Sequence, residues 1–432
     1  MTQAPRSRLR LDLLIGVSLR GAGAVSSFAL AWLIAQIFGA KTVGLYQLGA
    51  TTANLFAVIA LLGHAMILVR EASPKLRDGE FGAVHGIYLA IRRFVLKAGI
   101  CLAIVAILLA YPLAVYVLDE AEAAPFIIAM APTIVLIPII VVQNSLLRCQ
   151  GSVIASQSLE GVFYTSLVML ALAGLWLAFG NFPPLIAPLA MVVAQAIALG
   201  IGYWLVSHHT REWPKQDGSA DPRSGARIAA GSVMEAGANW GALLIITALL
   251  SASDAGIFRV AFLIAALMQV VNTSFAAMSG PYLARAAEAG HRREYRMIII
   301  TTGLIGSALC APVAGVAVFL PEFTMSLFGE EFLEGAVALQ LLALAGLVRV
   351  SAGPIGTALI MQNRELYLVG VVAVTSVIFL ALTLVLLPIY GITGAAMALL
   401  IASVLRVSAN WVGSLLLPFP SAKDQADDPV TV

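Results

Sequence analysis

Four arginines interrupt long apolar runs of this 432-residue chain: Arg20, Arg259, Arg349 and Arg406. A charge surrounded by hydrocarbon is costly unless it is paired or hydrated, so each one marks a ligand, a counter-ion or the edge of the apolar layer. Guanidinium suits an anionic ligand with phosphate-like oxygens, because its planar fork bonds two oxygens at once and stays charged when water is removed. Arg349 and Arg406 fall near the centres of their runs, where reaching back to water is difficult, and a ligand-facing role is expected. Arg20 forms a small, polar stripe with Gly16, Gly23 and Ser27 at one-face helical spacing. It either faces a cavity or reaches the nearer edge, where Asp12 is a second partner. Arg259, one turn inside the opposite edge, either joins the anion site or snorkels outward. Glu235 shares a face with Ser232 and Asn239. It serves as counter-ion to a basic residue, or as an ion-coupling site that takes up a proton or cation. Asn239 joins the arginines as a candidate substrate ligand.

Other polar residues fit binding better than catalysis. Gln47, Thr51 and Asn54 share one helical face, as do Gln269 and Asn272. Their amides suit sugar hydroxyls or hydrogen bonds between packed helices. His64, His85, His208, His209 and His291 have no metal-ligand spacing, and Cys101, Cys149 and Cys310 are scattered as small packing residues. No phosphate-cradling Gly-Lys-Ser/Thr loop occurs, so the chain is not expected to hydrolyse ATP. No catalytic residue, metal or cofactor is implied, and the chain is not expected to be an enzyme. A net charge of only +2 implies no nucleic-acid partner.

Positioning these side chains is a task for membrane helices. Apolar residues make up 60% of the chain and charged ones 11%, whereas a soluble domain carries roughly a quarter charged residues. Too little polar surface remains to coat a globule, so lipid is the outer solvent. Runs of about 20 residues or more are needed to cross the hydrocarbon. About twelve are expected, at 11–38, 45–68, 92–118, 126–147, 155–179, 185–206, 226–250, 257–281, 297–320, 334–360, 366–388 and 392–416. The first is too long for a signal-peptide core and is expected to remain in the membrane. Prolines 112, 132, 138, 188, 312 and 354 predict kinked or broken helices beside a cavity.

Basic residues fix the orientation. Arg6, Arg8 and Arg10 precede the first run. Arg70, Lys75, Arg77, Arg92, Arg93 and Lys97 lie in and around the loop after the second, and further arginines mark every alternate loop. The opposite loops are acidic, with Asp119, Glu120, Glu122, Glu322, Glu330, Glu331 and Glu334. The positive-inside rule then places both termini in the cytoplasm. One offset also recurs: Gly44-Leu45-Tyr46 returns 212 residues later as Gly256-Ile257-Phe258, and Asp119, Glu122 and Gln150 meet Glu331, Glu334 and Gln362. The expected architecture is an all-α membrane protein of two six-helix bundles related as parallel repeats, with a binding site between them. The bundles span 1–206 and 226–416, joined by a cytoplasmic linker at 207–225 and followed by a disordered cytoplasmic tail at 417–432.

Three stretches carry a resemblance: Ala31-Trp32-Leu33-Ile34-Ala35-Gln36-Ile37-Phe38-Gly39-Ala40 followed by Val43-Gly44-Leu45-Tyr46; Leu327-Phe328-Gly329-Glu330-Glu331-Phe332; and Tyr390-Gly391-Ile392-Thr393-Gly394-Ala395-Ala396. Over nearly its whole length the chain resembles the polysaccharide and O-antigen flippases of the multidrug/oligosaccharidyl-lipid/polysaccharide exporter superfamily. The resemblance implies a V-shaped pair of bundles around a central cavity. It implies alternating access, an undecaprenyl-diphosphate-linked oligosaccharide as substrate, and the bacterial plasma membrane as the site of action. A polysaccharide polymerase is a partner on this reading, beside membrane lipids. Lipid II flippases of that superfamily usually carry two extra helices that this chain lacks. Two alternatives stay open: a multidrug or cation antiporter of the same superfamily, which favours carboxylates over arginines in its cavity, and a membrane glycan polymerase or ligase, whose long polar outer loop is missing here. A major-facilitator carrier would hold a Gly-x-x-x-Asp-x-x-Gly-Arg-type motif where this chain reads VREASPKLRDGEFG.

Overall fold

The computed structural model describes residues 6–214, 216, 222–362 and 364–416. Among these residues no strand occurs. The helices are α1 (Arg6–Leu61), α2 (His64–Arg77), α3 (Phe81–Pro112), α4 (Ala123–Met130), α5 (Thr133–Cys149), α6 (Val153–Gln157), α7 (Phe163–Phe179), α8 (Ile186–His209), α9 (Pro222–Leu249), α10 (Ala252–Glu288), α11 (Arg292–Phe319), α12 (Pro321–Ser326), α13 (Ala336–Ser351), α14 (Ile355–Met361), α15 (Glu365–Tyr390) and α16 (Ile392–Leu416). Ten helical stretches of the described residues are long and apolar enough to cross a membrane. The first is two limbs of α1 bent at Gly39, whose φ of 80° and ψ of 179° lie outside the helical region. The 17-residue α7 is a shorter apolar helix beside them. Counted by limbs, this is the expected dozen. The tail expected at 417–432 and part of the 207–225 linker lie outside the described residues.

The structure departs from the expected boundaries where polar punctuation is local. The charged segment after the second run was expected to be a loop, but residues 64–77 form α2. Its buried side is His64, Ile67, Leu68 and Ala72, and it ends on Lys75 and Arg77. An amphipathic pattern of this kind folds on an apolar surface even where hydropathy is low. The fourth run divides into α4 and α5 at Ala131–Pro132, and the tenth into α13 and α14 around Gly353, which has φ 61°. Both breaks follow from proline removing a backbone donor nearby.

The chain divides into two compact units, Met1–Arg259 and Val260–Val432. In the first, α5 packs against α1, α2, α3 and α8, while α1 also contacts α7 and α9. In the second, α13 packs between α11 and α16, and α15 covers α16. The Leu327–Phe332 stretch is a turn whose two aromatic rings, Phe328 and Phe332, are buried with centroids 5.8 Å apart.

Inside the first unit, residues that the sequence pairs at the 212 offset touch one another. A Cβ on Gly44 would lie 1.8 Å from the Ala252 carbonyl oxygen, and one on Gly256 would lie 2.1 Å from that of Ala40. Ala40 and Ala252 are themselves separated by that offset, so the contact is reciprocal. Residues of one offset thus meet in a locally self-complementary contact.

Candidate functional site

The second unit holds two of the expected arginines on adjacent helices. Along α15, Thr375, Phe379, Thr383 and Leu387 recur every fourth residue and are buried, the face that α16 covers. On α16, Arg406 follows Leu399, Ala402 and Ser403 on the packed side. Its Nε donates to Thr375 Oγ1 at 3.0 Å and a terminal nitrogen to Ser376 Oγ at 3.5 Å. Thr375 donates its own hydroxyl hydrogen to the Val371 carbonyl at 2.8 Å, leaving a lone pair to accept from the arginine. Two neutral hydroxyls therefore help to orient the fork.

Arg349 stands in the last turn of α13, on the side of the buried Leu342 and Ala345. Sequence reasoning put it mid-helix. The break after Ser351 puts it instead at a helix C-terminus, where orphaned carbonyls favour a cation. Arg349 and Arg406 each lie about 20 Å along their helices from the helix start. α13 packs directly against α16, so the two arginines occupy neighbouring helices.

In the first unit, Arg259 Nε donates to Gln47 Oε1 at 3.1 Å. These two residues are also repeat mates, so this bond lies beside the reciprocal glycine contact. Trp240 Nε1 donates to Thr52 Oγ1 at 2.9 Å and fixes α9 on α1. Glu235 is exposed on α9, and Asn239 one turn further on is half-buried. The Arg20 side chain lies outside the described residues. At the acidic turns, Lys41 Nζ bridges Glu120 at 3.1 Å and Glu122 at 2.9 Å. Among the described residues no cluster of His, Cys, Asp or Glu could hold a metal ion.

The sequence reading missed the partners that orient the arginines. Thr375 and Ser376 were detectable as the one Thr-Ser pair on α15. Gln47 had been noted only as part of an amide face, and its mate at the 212 offset was the available signal.

The profile of a family described as "Polysaccharide biosynthesis protein" matches residues 90–338. Among solved structures, an inward-facing multidrug resistance transporter of the MATE family and MOP superfamily is similar at 12% identity. It has a TM-score of 0.76, with 93% of this chain and 97% of that one covered. A MOP-superfamily transporter from Pyrococcus furiosus, described as having a binding pocket of reverse polarity, is 14% identical with TM-score 0.67 and 94% coverage of both chains. The lipid II flippase MurJ in an inward closed conformation is 12% identical with TM-score 0.67, with 94% of this chain and 88% of that one covered. No curated protein matches the sequence significantly. These structures share the fold of this chain.

Proposed function

The chain belongs to the polysaccharide biosynthesis protein family, and on that premise we propose that it is a flippase for an undecaprenyl-diphosphate-linked oligosaccharide. Its cargo passes from the cytoplasmic to the outer leaflet of the bacterial plasma membrane by alternating access, without covalent chemistry. The moving parts are the two six-helix halves, 1–206 and 226–416. Both termini are cytoplasmic, as the skew of Lys and Arg between alternate loops supports.

The observation that supports this reading is that Arg349 and Arg406 stand on two packed helices, α13 and α16, with the Arg406 fork bonded to Thr375 and Ser376. Two guanidinium groups replace the water shell of a diphosphate, which otherwise makes crossing prohibitive. Arg20, Arg259 and Asn239 extend the binding surface in the N-terminal part of the path, and Glu235 is the counter-ion or coupling site. The reversed pocket polarity described for the Pyrococcus furiosus transporter supports the view that one fold serves cargoes of different charge. Energy comes from an ion gradient or from consumption of the flipped product by a polymerase outside.

Flipping of a labelled undecaprenyl-diphosphate glycolipid by the purified protein in vesicles tests the proposal, with and without an ion gradient. Acceleration over protein-free vesicles, lost in R349A and R406A, is the expected result. Near-normal flipping by both variants removes the arginine assignment. The multidrug transporters that share the fold favour a second reading, a cation antiporter. Gradient-driven uptake of a cationic dye with no glycolipid flipping selects it.

A further inference from the structure

The second unit contains a groove that the transport reading does not use. It lies between α10, α11 and α12, has a volume of about 300 Å³, and is lined by Ile264, Pro312, Val313, Val316, Ala317 and Thr324. The two long helices are held together beside it, where Cys310 Sγ of α11 donates to the Met268 carbonyl of α10 at 3.8 Å. Pro312 removes a backbone donor within α11, and Ala317 is too small to fill the space that remains. The one polar side chain of the lining is Thr324, whose hydroxyl donates to the Leu320 carbonyl at 2.8 Å.

Lining and surroundings indicate the occupant. Water settles in a cavity only with several polar partners, and here Thr324 is the one side chain that could serve. Hydrocarbon fits: an apolar cavity of ~150 Å³ takes benzene, so twice that volume takes roughly a dozen carbon atoms. The groove opens through Val313 and Val316, 39% and 45% exposed, and the exposed Ile305 and Leu309 continue their stripe along α11. From Ile305 to Val316 is ~16 Å of helix, about the depth of one leaflet. The charges at this end of α11 are acidic. α12 carries Glu322 and the turn after it Glu330, Glu331 and Glu334, all exposed, and no Lys, Arg or His occurs between Arg296 and Arg349. An anionic headgroup is repelled there, and so is a chain ending in a diphosphate. An ammonium instead donates charge-assisted hydrogen bonds to carboxylates.

We propose that this groove holds an acyl chain of a zwitterionic glycerophospholipid whose headgroup ends in an ammonium, as ethanolamine does. The chain lies between α10 and α11 in the leaflet on the side of the acidic turns, and the ammonium rests against Glu322. By filling the space left at Pro312, the lipid braces the kinked end of α11 against α10.

Native mass spectrometry of the purified full chain tests this, with phosphatidylethanolamine and phosphatidylglycerol of identical acyl chains. No glycolipid is present, so the outcome is independent of the transport reading. Phosphatidylethanolamine is expected to be retained about fivefold better, the upper range for an exposed ion pair. V316W fills the mouth of the groove and should lower that retention by about fivefold or more, the loss of several buried methylenes. V377W places the same ring on the exposed face of α15 and should leave retention unchanged. E322K should remove most of the preference for ethanolamine. Thermal unfolding in detergent shows whether each variant is folded, and V313W is the second obstruction if V316W is not. Equal retention of the two lipids, or equal losses in V316W and V377W, overturns the proposal. Tighter retention of undecaprenyl phosphate than of phosphatidylethanolamine also overturns it, by giving the groove to an isoprenoid tail.

Discussion

Arginine at membrane depth is useful only if its fork is aimed, and here neutral side chains contribute to the aiming. Arg406 takes its direction from Thr375 and Ser376, and Arg259 from the amide of Gln47. Hydrogen bonds to a charged group are worth ~1.5–3 kcal/mol each. Removing a guanidinium that meets a diphosphate should therefore slow flipping by at least ~10–100-fold. R406A is expected to show that loss in the vesicle assay, whereas R406K, which keeps charge but not the bidentate fork, should retain a fraction of activity. T375V leaves the charge and removes the acceptor, so it should weaken cargo binding more than it weakens insertion, which membrane fractionation of the variant measures. A T375V protein with wild-type transport at limiting cargo would show that Arg406 is aimed by something else.

At the scale of elements, close helix contacts and broken helices position these groups. Gly44 and Gly256 let α1 and the start of α10 approach until a side chain cannot fit: the nearest obstacle is backbone oxygen at 1.8 Å and 2.1 Å. Gly-to-Ala normally favours a helix by ~1 kcal/mol, but here the clash is with backbone, and overpacking costs ~1–3 kcal/mol. G44A and G256A should each lower the thermal unfolding midpoint, and the double variant should lose little more than one of them, since both break one contact. Additive losses would show two independent sites. Much of this was legible beforehand, because Gly44-Leu45-Tyr46 and its copy stand at a fixed offset. The sequence could not show that the mates touch, since that contact is a property of packing. The break that moves Arg349 from mid-helix to a helix end was half legible: Pro354 predicted a kink. Gly353, with its left-handed φ and a Cβ position 2.4 Å from the Ile299 carbonyl oxygen, sets where the break falls. The α2 helix was hidden because its charges and Pro74 lower its hydropathy, while only its alternating buried side reveals it.

For the whole molecule, the charge skew between alternate loops makes a claim about direction. If the basic end is cytoplasmic, a cysteine replacing Arg77 in the cysteine-free protein should react with an impermeant maleimide only after the cells are opened, and one replacing Glu322 should react in intact cells. The reverse pattern would invert the molecule and the transport direction with it. On the proposed reading and in that orientation, the lipid-linked cargo starts with its diphosphate on the cytoplasmic side. A flippase and a polymerase of the same pathway both stop polymer formation when lost, so absence of polymer cannot separate them. The leaflet holding the stranded precursor can. A polymerase acts after crossing, so without it single repeat units collect on the outer leaflet, open to a glycosidase added to intact cells. A flippase acts before crossing, so deleting this chain should leave those units protected until the membrane is breached. R349A or R406A expressed in the deletion strain should leave them equally protected, which ties the location of the precursor to the two guanidinium groups.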